Sequence, residues 1–418
     1  MRIKELQLQN IGPFKEAKLA FLNDEELEFP PVTYITGENG TGKSIIIDAI
    51  RALCRGDVIN SVNRELIHGI ERDITASTNF LINAKVKLNK ETFEFTSVKK
   101  GRANTIVTNN INFNNLFISS HKSLTGHFQK NFIFDYWTPK LSSGAFTIDK
   151  ITSPDPDKYL DNVLSGSYKN TDVTEIITFL DYLRGGTPKE AALGIGLYQL
   201  LEKIVELSIT NGSLAYVSRM ELKPIISIGQ KEYALDKLSS GNLYLIQRFT
   251  SLVRQVYAVC TLNDIPIEDY QSIKGVLLID EAENHLHPKW QKVFIQNIQK
   301  LFPRLQIIVS THSPFIVSSA ENYRVYVCKS KVDYSVVEDE TDHYANKPIE
   351  EILMSPLFDT RNFNAEISQL LEERKKAKEE CNLEEAKNIE AKLLAINPQY
   401  FEYLTLDSVL KSIKNERN

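Results

Sequence analysis

Eight consecutive residues carry the first chemistry visible in this sequence. Gly37-Glu38-Asn39-Gly40-Thr41-Gly42-Lys43-Ser44 fits G-x-x-x-x-G-K-[ST], the Walker A phosphate loop. Glycines at these spacings let the backbone turn tightly and bring N–H groups up to phosphate oxygens. The Lys43 ammonium can reach β- and γ-phosphates, and the Ser44 hydroxyl can ligate Mg2+. Further along, Val276-Leu277-Leu278-Ile279 runs into Asp280-Glu281, a Walker B pattern. Asp280 is placed to hold Mg2+, directly or through water, and Glu281 to polarise an attacking water. Thr311-His312-Ser313 supplies an imidazole that can donate to a γ-phosphate and report its presence. Leu238-Ser239-Ser240-Gly241, at a helix start, offers hydroxyls, N–H groups and a helix dipole to an anion. Each has a plain structural alternative: a chance glycine-rich turn, an acidic strand end, a structural histidine, a serine N-cap. Their order within one chain favours chemistry.

The surrounding pattern supplies elements to hold these groups. Val32 to Thr36 reads as a buried strand entering the phosphate loop, and Ile45 to Ile50 as the helix leaving it. Gln306 to Ser310 reads as a buried strand before His312, and Leu243 to Val259 as a helix after Gly241. Strands over 2–8 and 16–22 are joined by Asn10-Ile11-Gly12-Pro13-Phe14. Phe80, Ile82, Ala84, Val86 and Leu88 alternate at strand period, Asn89-Lys90-Glu91 turns, and Phe93 and Phe95 continue the return strand. These predict a second, antiparallel sheet beside the first. Lys85, Lys87, Lys90, Lys99, Lys100 and Arg102 make either a solvated strand face or a nucleic-acid stripe. Residues 141–167 read as a loop, and Asp172 to Leu183 as an amphipathic helix stopped by Gly185-Gly186. Thr187, Pro188 and Glu190 form a capping box opening a helix to about Ile209. One or two strands close the head over 323–337. Charged helices follow from Ala365 to about Glu380, Leu383 to Ile396 and about Leu406 to Lys414. A short hairpin would need another surface for Leu370, Leu371, Leu393 and Leu394, so the tail reads equally as solvated or as a docking element.

Composition narrows the class. With charged residues at 25% and the hydrophobic set at 42% of 418 residues, the chain reads as a globular, cytoplasmic protein. No apolar run reaches membrane-spanning length, and the first residues lack a signal-peptide core. The four cysteines are far apart and form no C-x-x-C pair, which argues against a zinc hook or redox pair. His285 and His287 lack a further ligand cluster for a metal. A net charge of −5 requires any nucleic-acid binding to use a local basic patch.

Taken together, Walker A, the Leu238-Ser239-Ser240-Gly241-Asn242 segment, Asp280-Glu281 and His312 resemble the ABC ATPase set: Walker A, an L-S-G-G-Q-like signature, Walker B and a switch histidine. Ser240 and Asn242 depart from that signature as in the SMC, RecF and Rad50 branch. The Asn-Ile-Gly-Pro-Phe segment, Thr-Gly-Glu-Asn-Gly, Asp-Glu-Ala-Glu-Asn-His-Leu-His-Pro and Ser-Thr-His-Ser-Pro look like the sub-branch of overcoming-lysogenisation-defect (OLD) nucleases and stand-alone anti-phage ATPases such as Septu. The resemblance spans roughly residues 1–340. It implies an α/β ABC ATPase head, a mixed sheet with P-loop core plus an antiparallel β subdomain, over 1–345, with a short helical insertion at about 141–212 and a helical tail over 346–418. It implies ATP and Mg2+ as cofactors, held by Gly37, Asn39, Gly40, Thr41, Gly42, Lys43, Ser44 and Asp280, with Lys43, Glu281 and His312 catalytic. It implies a homodimer or higher oligomer of heads sandwiching ATP, so that Ser239, Ser240 and Gly241 act in trans and Glu283 to His287 form the D-loop side of the interface. A nuclease or toxin effector in trans is the implied partner. The alternatives are a RecF-like DNA-repair ATPase and a nucleotide-gated scaffold with negligible turnover. Gln129 is the candidate Q-loop glutamine. OLD relatives carry a Toprim nuclease after the ATPase; the helical tail, with Glu338-Asp339-Glu340-Thr341-Asp342 in the loop before it as the only dense acidic cluster nearby, predicts no intrinsic nuclease.

Overall fold

The computed structural model describes residues 1–55, 81–88, 91–99, 106–108, 111–117, 128–142, 144–344, 347, 351–352, 365–379 and 382–401. Its contacts divide the chain into two compact units, Met1–Ile349 and Glu350–Asn418.

The first unit is built on strands β1 (Arg2–Ile11), β2 (Phe14–Ala20) and β3 (Val32–Gly37), helix α1 (Lys43–Arg55), strands β4 (Leu81–Leu88), β5 (Glu91–Lys99) and β6 (Ile106–Thr108), helix α2 (Ile111–Asn115) and strand β7 (Ile133–Trp137). Helices α3 (Asn170–Leu183) and α4 (Pro188–Ser208) follow, then strands β8 (Gly212–Ser218), β9 (Lys223–Ile228) and β10 (Lys231–Ala234) and helix α5 (Ser240–Asn263). The unit continues with β11 (Gly275–Ile279), α6 (Pro288–Leu301), β12 (Leu305–Ser310), α7 (Pro314–Val317), β13 (Tyr323–Ser330) and β14 (Ser335–Asp339).

Eleven strands form one mixed sheet in the order β6-β5-β4-β1-β2-β14-β13-β3-β12-β11-β7. The expected second sheet from β4 and β5 is therefore a continuation of the first: β4 pairs antiparallel with β1. Alternation at period two fixes which face of a strand is buried but not which strand pairs with it. The separate sheet comes instead from β8, β9 and β10. Strands β3, β7, β11 and β12 are buried along their whole length, as parallel strands covered on both faces must be.

The large sheet curls. Arg2, six strands away from β11 in sheet order, donates to the carbonyls of Gly275 and Arg304, both at 2.7 Å, and of Leu27 at 3.0 Å. Gln306 clasps the backbone of Ile3 from both sides, accepting from its N–H at 2.8 Å and donating to its carbonyl at 2.7 Å. Helix α1 sits within this curl, which explains why Ile46, Ile47, Ala49, Ile50, Ala52 and Leu53 are all buried. Each fully buried isoleucine there stabilises the fold by roughly 1.5–3 kcal/mol. Two charges buried on α1 are paired with each other: Arg51 donates to Asp48 at 2.5 Å and lies over the Tyr136 ring at 3.8 Å. Asn114 of α2 covers the end of α1 by donating to the carbonyls of Leu53 and Cys54.

The capping box at Thr187 and Glu190 opens α4. The turn Asn89-Lys90 and the basic residues Lys90, Lys100 and Arg102 lie outside the described residues. Lys85 is ion-paired with Glu5 at 3.0 Å, as on a solvated strand face.

In the second unit, helices over Ala365–Glu379, Leu383–Ile396 and Pro398–Phe401 make a hairpin with its own core. Ile389, Leu393 and Phe401 are buried, and Ile367, Leu370, Leu371 and Leu394 pack against them. The leucine face thus packs in part within the hairpin, with Leu393 buried and Leu370, Leu371 and Leu394 half-buried. Arg374 and Lys378 both bond to Glu390, at 2.7 and 3.1 Å. The second helix ends at Ile396 with Asn397 as its C-cap, Pro398 starts a further short helix, and the expected helix from Leu406 lies outside the described residues.

Candidate functional site

Adjacent parallel strands bring the sequence motifs to one edge. Strand β12 lies between β3 and β11, so the carboxyl ends carrying Gly37, Ser310 and Asp280 converge. Gly37, Gly40 and Gly42 all adopt positive φ, at 137°, 81° and 102°. Side chains are excluded at two of these positions. A Cβ at Gly37 would lie 2.2 Å from the Cys328 carbonyl oxygen, and one at Gly42 would lie 2.6 Å from both Phe14 and Pro13. The Asn-Ile-Gly-Pro-Phe turn is therefore the buttress on which the phosphate loop rests. Among the described residues, no backbone N–H from Asn39 to Ser44 donates to a protein acceptor. A run of free N–H groups opening onto a helix N-terminus fits an anion.

The polar side chains are arranged around that cradle. Lys43 folds onto its own loop, donating to the carbonyls of Gly37 at 3.0 Å and Glu38 at 2.7 Å. Burial holds its ammonium below the ordinary lysine value, against the opposing pull of Glu283, Asp280 and Glu281. Thr41 donates to the Glu38 carbonyl at 2.8 Å, while Asn39 and Gly40 are exposed. Ser44 donates to Asp280 Oδ1 at 2.7 Å, and Ser310 donates to the same oxygen at 2.5 Å. A hydroxyl and a carboxylate in contact beside a phosphate cradle form the donor set that suits Mg2+. Ser310 also accepts from the Glu281 N–H at 2.9 Å. Glu281 itself has φ +53° and accepts from Asn284 at 2.7 Å. His312 follows β12; burial and then the nearby Lys43 charge hold its imidazole below the usual histidine value, which favours the neutral form.

The signature turn lies elsewhere on the surface. Ser239 caps α5, accepting from the Asn242 N–H at 3.4 Å, and Ser240 makes no side-chain hydrogen bond among the described residues. Both serines are exposed. Gly241 packs on the loop after β11: a Cβ there would lie 2.5 Å from the His285 carbonyl oxygen.

Sequence reasoning missed several partners. Glu283 accepts from the Thr311 hydroxyl at 2.7 Å and the His312 N–H at 2.8 Å. Its spacing three residues after Asp280, beside a Ser-Thr-His-Ser run, was the available signal. Arg248, fully buried on α5, donates to the carbonyls of Thr138 at 2.8 Å and Lys140 at 2.6 Å. His285 Nε2 lies 2.8 Å from the Pro139 carbonyl oxygen, and His287 Nδ1 accepts from the Lys289 N–H, so both imidazoles are engaged in loop and cap contacts. Among the described residues no cluster of three or more ligating side chains could hold a metal ion. Gln129 precedes β7 and so lies at the end opposite the phosphate loop, because β7 runs parallel to β11. An apolar groove lined by Phe179, Tyr182, Leu193, Tyr257 and Ile267 shares no residue with this site.

Two family models match in succession, "AAA domain" over residues 5–182 and "AAA domain, putative AbiEii toxin, Type IV TA system" over residues 228–318. The crystal structure of an SMC head bound to the C-winged helix domain of ScpA matches with a TM-score of 0.50 at 14% identity, over 81% of this chain and 97% of that one. The fold is that of an SMC head, and the family models and named relatives support an ATPase. Among curated proteins the chain is similar to retron and Septu ATPases. It is 24% identical to "Retron Vc95 probable ATPase" of Vibrio cholerae serotype O1 biovar El Tor, over 79% of this chain and 74% of that protein. It is 25% identical to "Septu protein PtuA" of Bacillus thuringiensis, over 76% of this chain and 73% of that protein. Among the described residues no helix is long and apolar enough to cross a membrane.

Proposed function

We propose that this protein binds and hydrolyses ATP with Mg2+, dimerises head to head around the nucleotide, and regulates an effector protein in a bacterial anti-phage defence system. The observation that carries the ATPase reading is the meeting of Ser44 and Ser310 on one oxygen of Asp280, beside a loop of free N–H groups. In this reading the loop from Gly37 to Ser44 cradles the phosphates and Lys43 leaves its own carbonyls to offset their charge. Ser44 and Asp280 would hold Mg2+, which would neutralise phosphate charge. Glu281 orients and deprotonates water, and His312, as a neutral imidazole, donates to the γ-phosphate. The exposed Ser239-Ser240-Gly241 turn supplies donors to the nucleotide held by the second head. The defence role rests on the Septu and retron relatives, and the effector is a nuclease or toxin acting in trans.

The test is phosphate release and light scattering with ATP and Mg2+. Turnover by the wild type, and an ATP-dependent dimer trapped by Glu281→Gln, are expected. Nucleotide binding without either outcome would overturn the reading. The purified chain should leave DNA and RNA intact in Mg2+ or Mn2+. Cleavage lost on mutating Asp339, Glu340 and Asp342 would place a nuclease in this chain.

A further inference from the structure

We propose that Glu283 is a positioning residue that holds His312 in place over the phosphate loop. This rests on the ATPase reading above. The loop after β11 bends sharply, with Glu281 and His285 both in the left-handed region at φ +53° and +65°. Short backbone bonds, Asn284 N–H to Glu281 O and Leu286 N–H to Glu283 O, both 3.1 Å, fix the bend. Glu283 reaches the start of the switch loop with both carboxylate oxygens occupied. Oε2 accepts from the Thr311 hydroxyl at 2.7 Å, and Oε1 accepts from the His312 N–H at 2.8 Å. Burial pushes its carboxyl upward, and the bonds from Thr311 and His312 oppose that shift. A desolvated carboxylate is costly unless its donors are well placed, so these contacts are specific rather than incidental.

Gln291 braces the other side. It donates to the carbonyls of Leu286 at 2.8 Å and Glu283 at 3.3 Å, and accepts from the Ser313 hydroxyl at 2.6 Å. Ser313 N–H in turn donates to the Thr311 hydroxyl at 2.9 Å. The backbone of Thr311, His312 and Ser313 is thus bracketed, while the His312 imidazole makes no hydrogen bond among the described residues. A fixed backbone and an unengaged ring are what a γ-phosphate donor needs. The same loop carries the His285 carbonyl against Gly241, so Glu283 also links the switch histidine to the signature turn.

The test compares Glu283→Ala, His312→Ala and the double variant in the full chain. Glu283→Ala should lower kcat about tenfold with KM and ATP affinity within about twofold, since misplacing a reacting group is felt in turnover. In the His312→Ala background the same substitution should cost nothing further. Native-state hydrogen exchange should show the His312 amide opening at least about tenfold faster in Glu283→Ala. Unchanged kcat, an equal loss in both backgrounds, or an unchanged His312 exchange rate would each overturn the proposal. If Glu283→Ala does not fold, Glu283→Gln keeps the shape and is read the same way with a smaller shift. A wild-type chain without turnover would sink the ATPase reading alone, and the exchange measurement would still decide whether Glu283 holds His312.

Discussion

The phosphate loop and the signature turn are built on opposite terms. Around the loop the lysine and the hydroxyls have partners in their own chain: Lys43 sits on loop carbonyls, Thr41 on the Glu38 carbonyl, and Ser44 and Ser310 on Asp280. At the turn, Ser239 makes one long cap bond and Ser240 makes none among the described residues. The side chains of one region are engaged within the chain; the other presents hydroxyls with little among the described residues to receive them. On the proposed head-to-head reading, a single copy would hold half of each composite site in full and offer the other half to a second copy.

The largest way to stress this contrast is Glu281→Gln. Removing the base should slow hydrolysis about 1000-fold while leaving ATP affinity intact, as measured by single-turnover phosphate release. A wild-type rate would remove Glu281 from the chemistry. Next, Lys43→Ala should weaken ATP binding by about 100-fold, on the order of 3 kcal/mol, because charged hydrogen bonds to phosphate are lost; calorimetric titration reads it directly. Unchanged affinity would mean that the loop does not bind phosphate.

A smaller effect tests the turn. Ser240→Asp should leave ATP affinity unaltered but reduce ATP-dependent dimerisation about tenfold through like-charge repulsion, as seen by light scattering. Gly241→Asp is a poorer probe, because any side chain there meets the His285 carbonyl within its own chain. Equal dimer yield for Ser240→Asp and wild type would contradict the trans role. Smallest is Ser239→Ala. Its cap bond is 3.4 Å long, so urea unfolding should lose only about 0.5–1 kcal/mol. A stability loss of several kcal/mol would make the turn a structural element first.

The motifs were legible because each is local. Lys43, Ser44, Asp280 and Ser239 are specified by a few neighbouring residues, and the capping box at Thr187 by a spacing of three. What escaped depends on distant pairing. Ile82, Ala84, Val86 and Leu88 announce a half-buried strand, yet nothing in their alternation says that β4 joins β1. Glu283 reads as one acid among several until the fold sets it under Thr311 and His312. The buttress of Pro13 and Phe14 beneath Gly42 joins residues that the sequence offers only as a turn and a loop. In the tail, a third segment ending in Phe401 adds to the leucines a partner that helical periodicity alone does not announce.

Arg2 and Gln306 clasp the amino-terminal ends of β11 and β12 to the first strand, at Gly275, Arg304 and Ile3. The opposite ends of the same strands carry Asp280 and Ser310. A beam clamped at one end deflects most at its free tip. Any rearrangement provoked at the phosphate loop is therefore expressed in the loops beyond Asp280 and Ser310, and the clamped sheet behind them supplies the fixed frame against which those loops move.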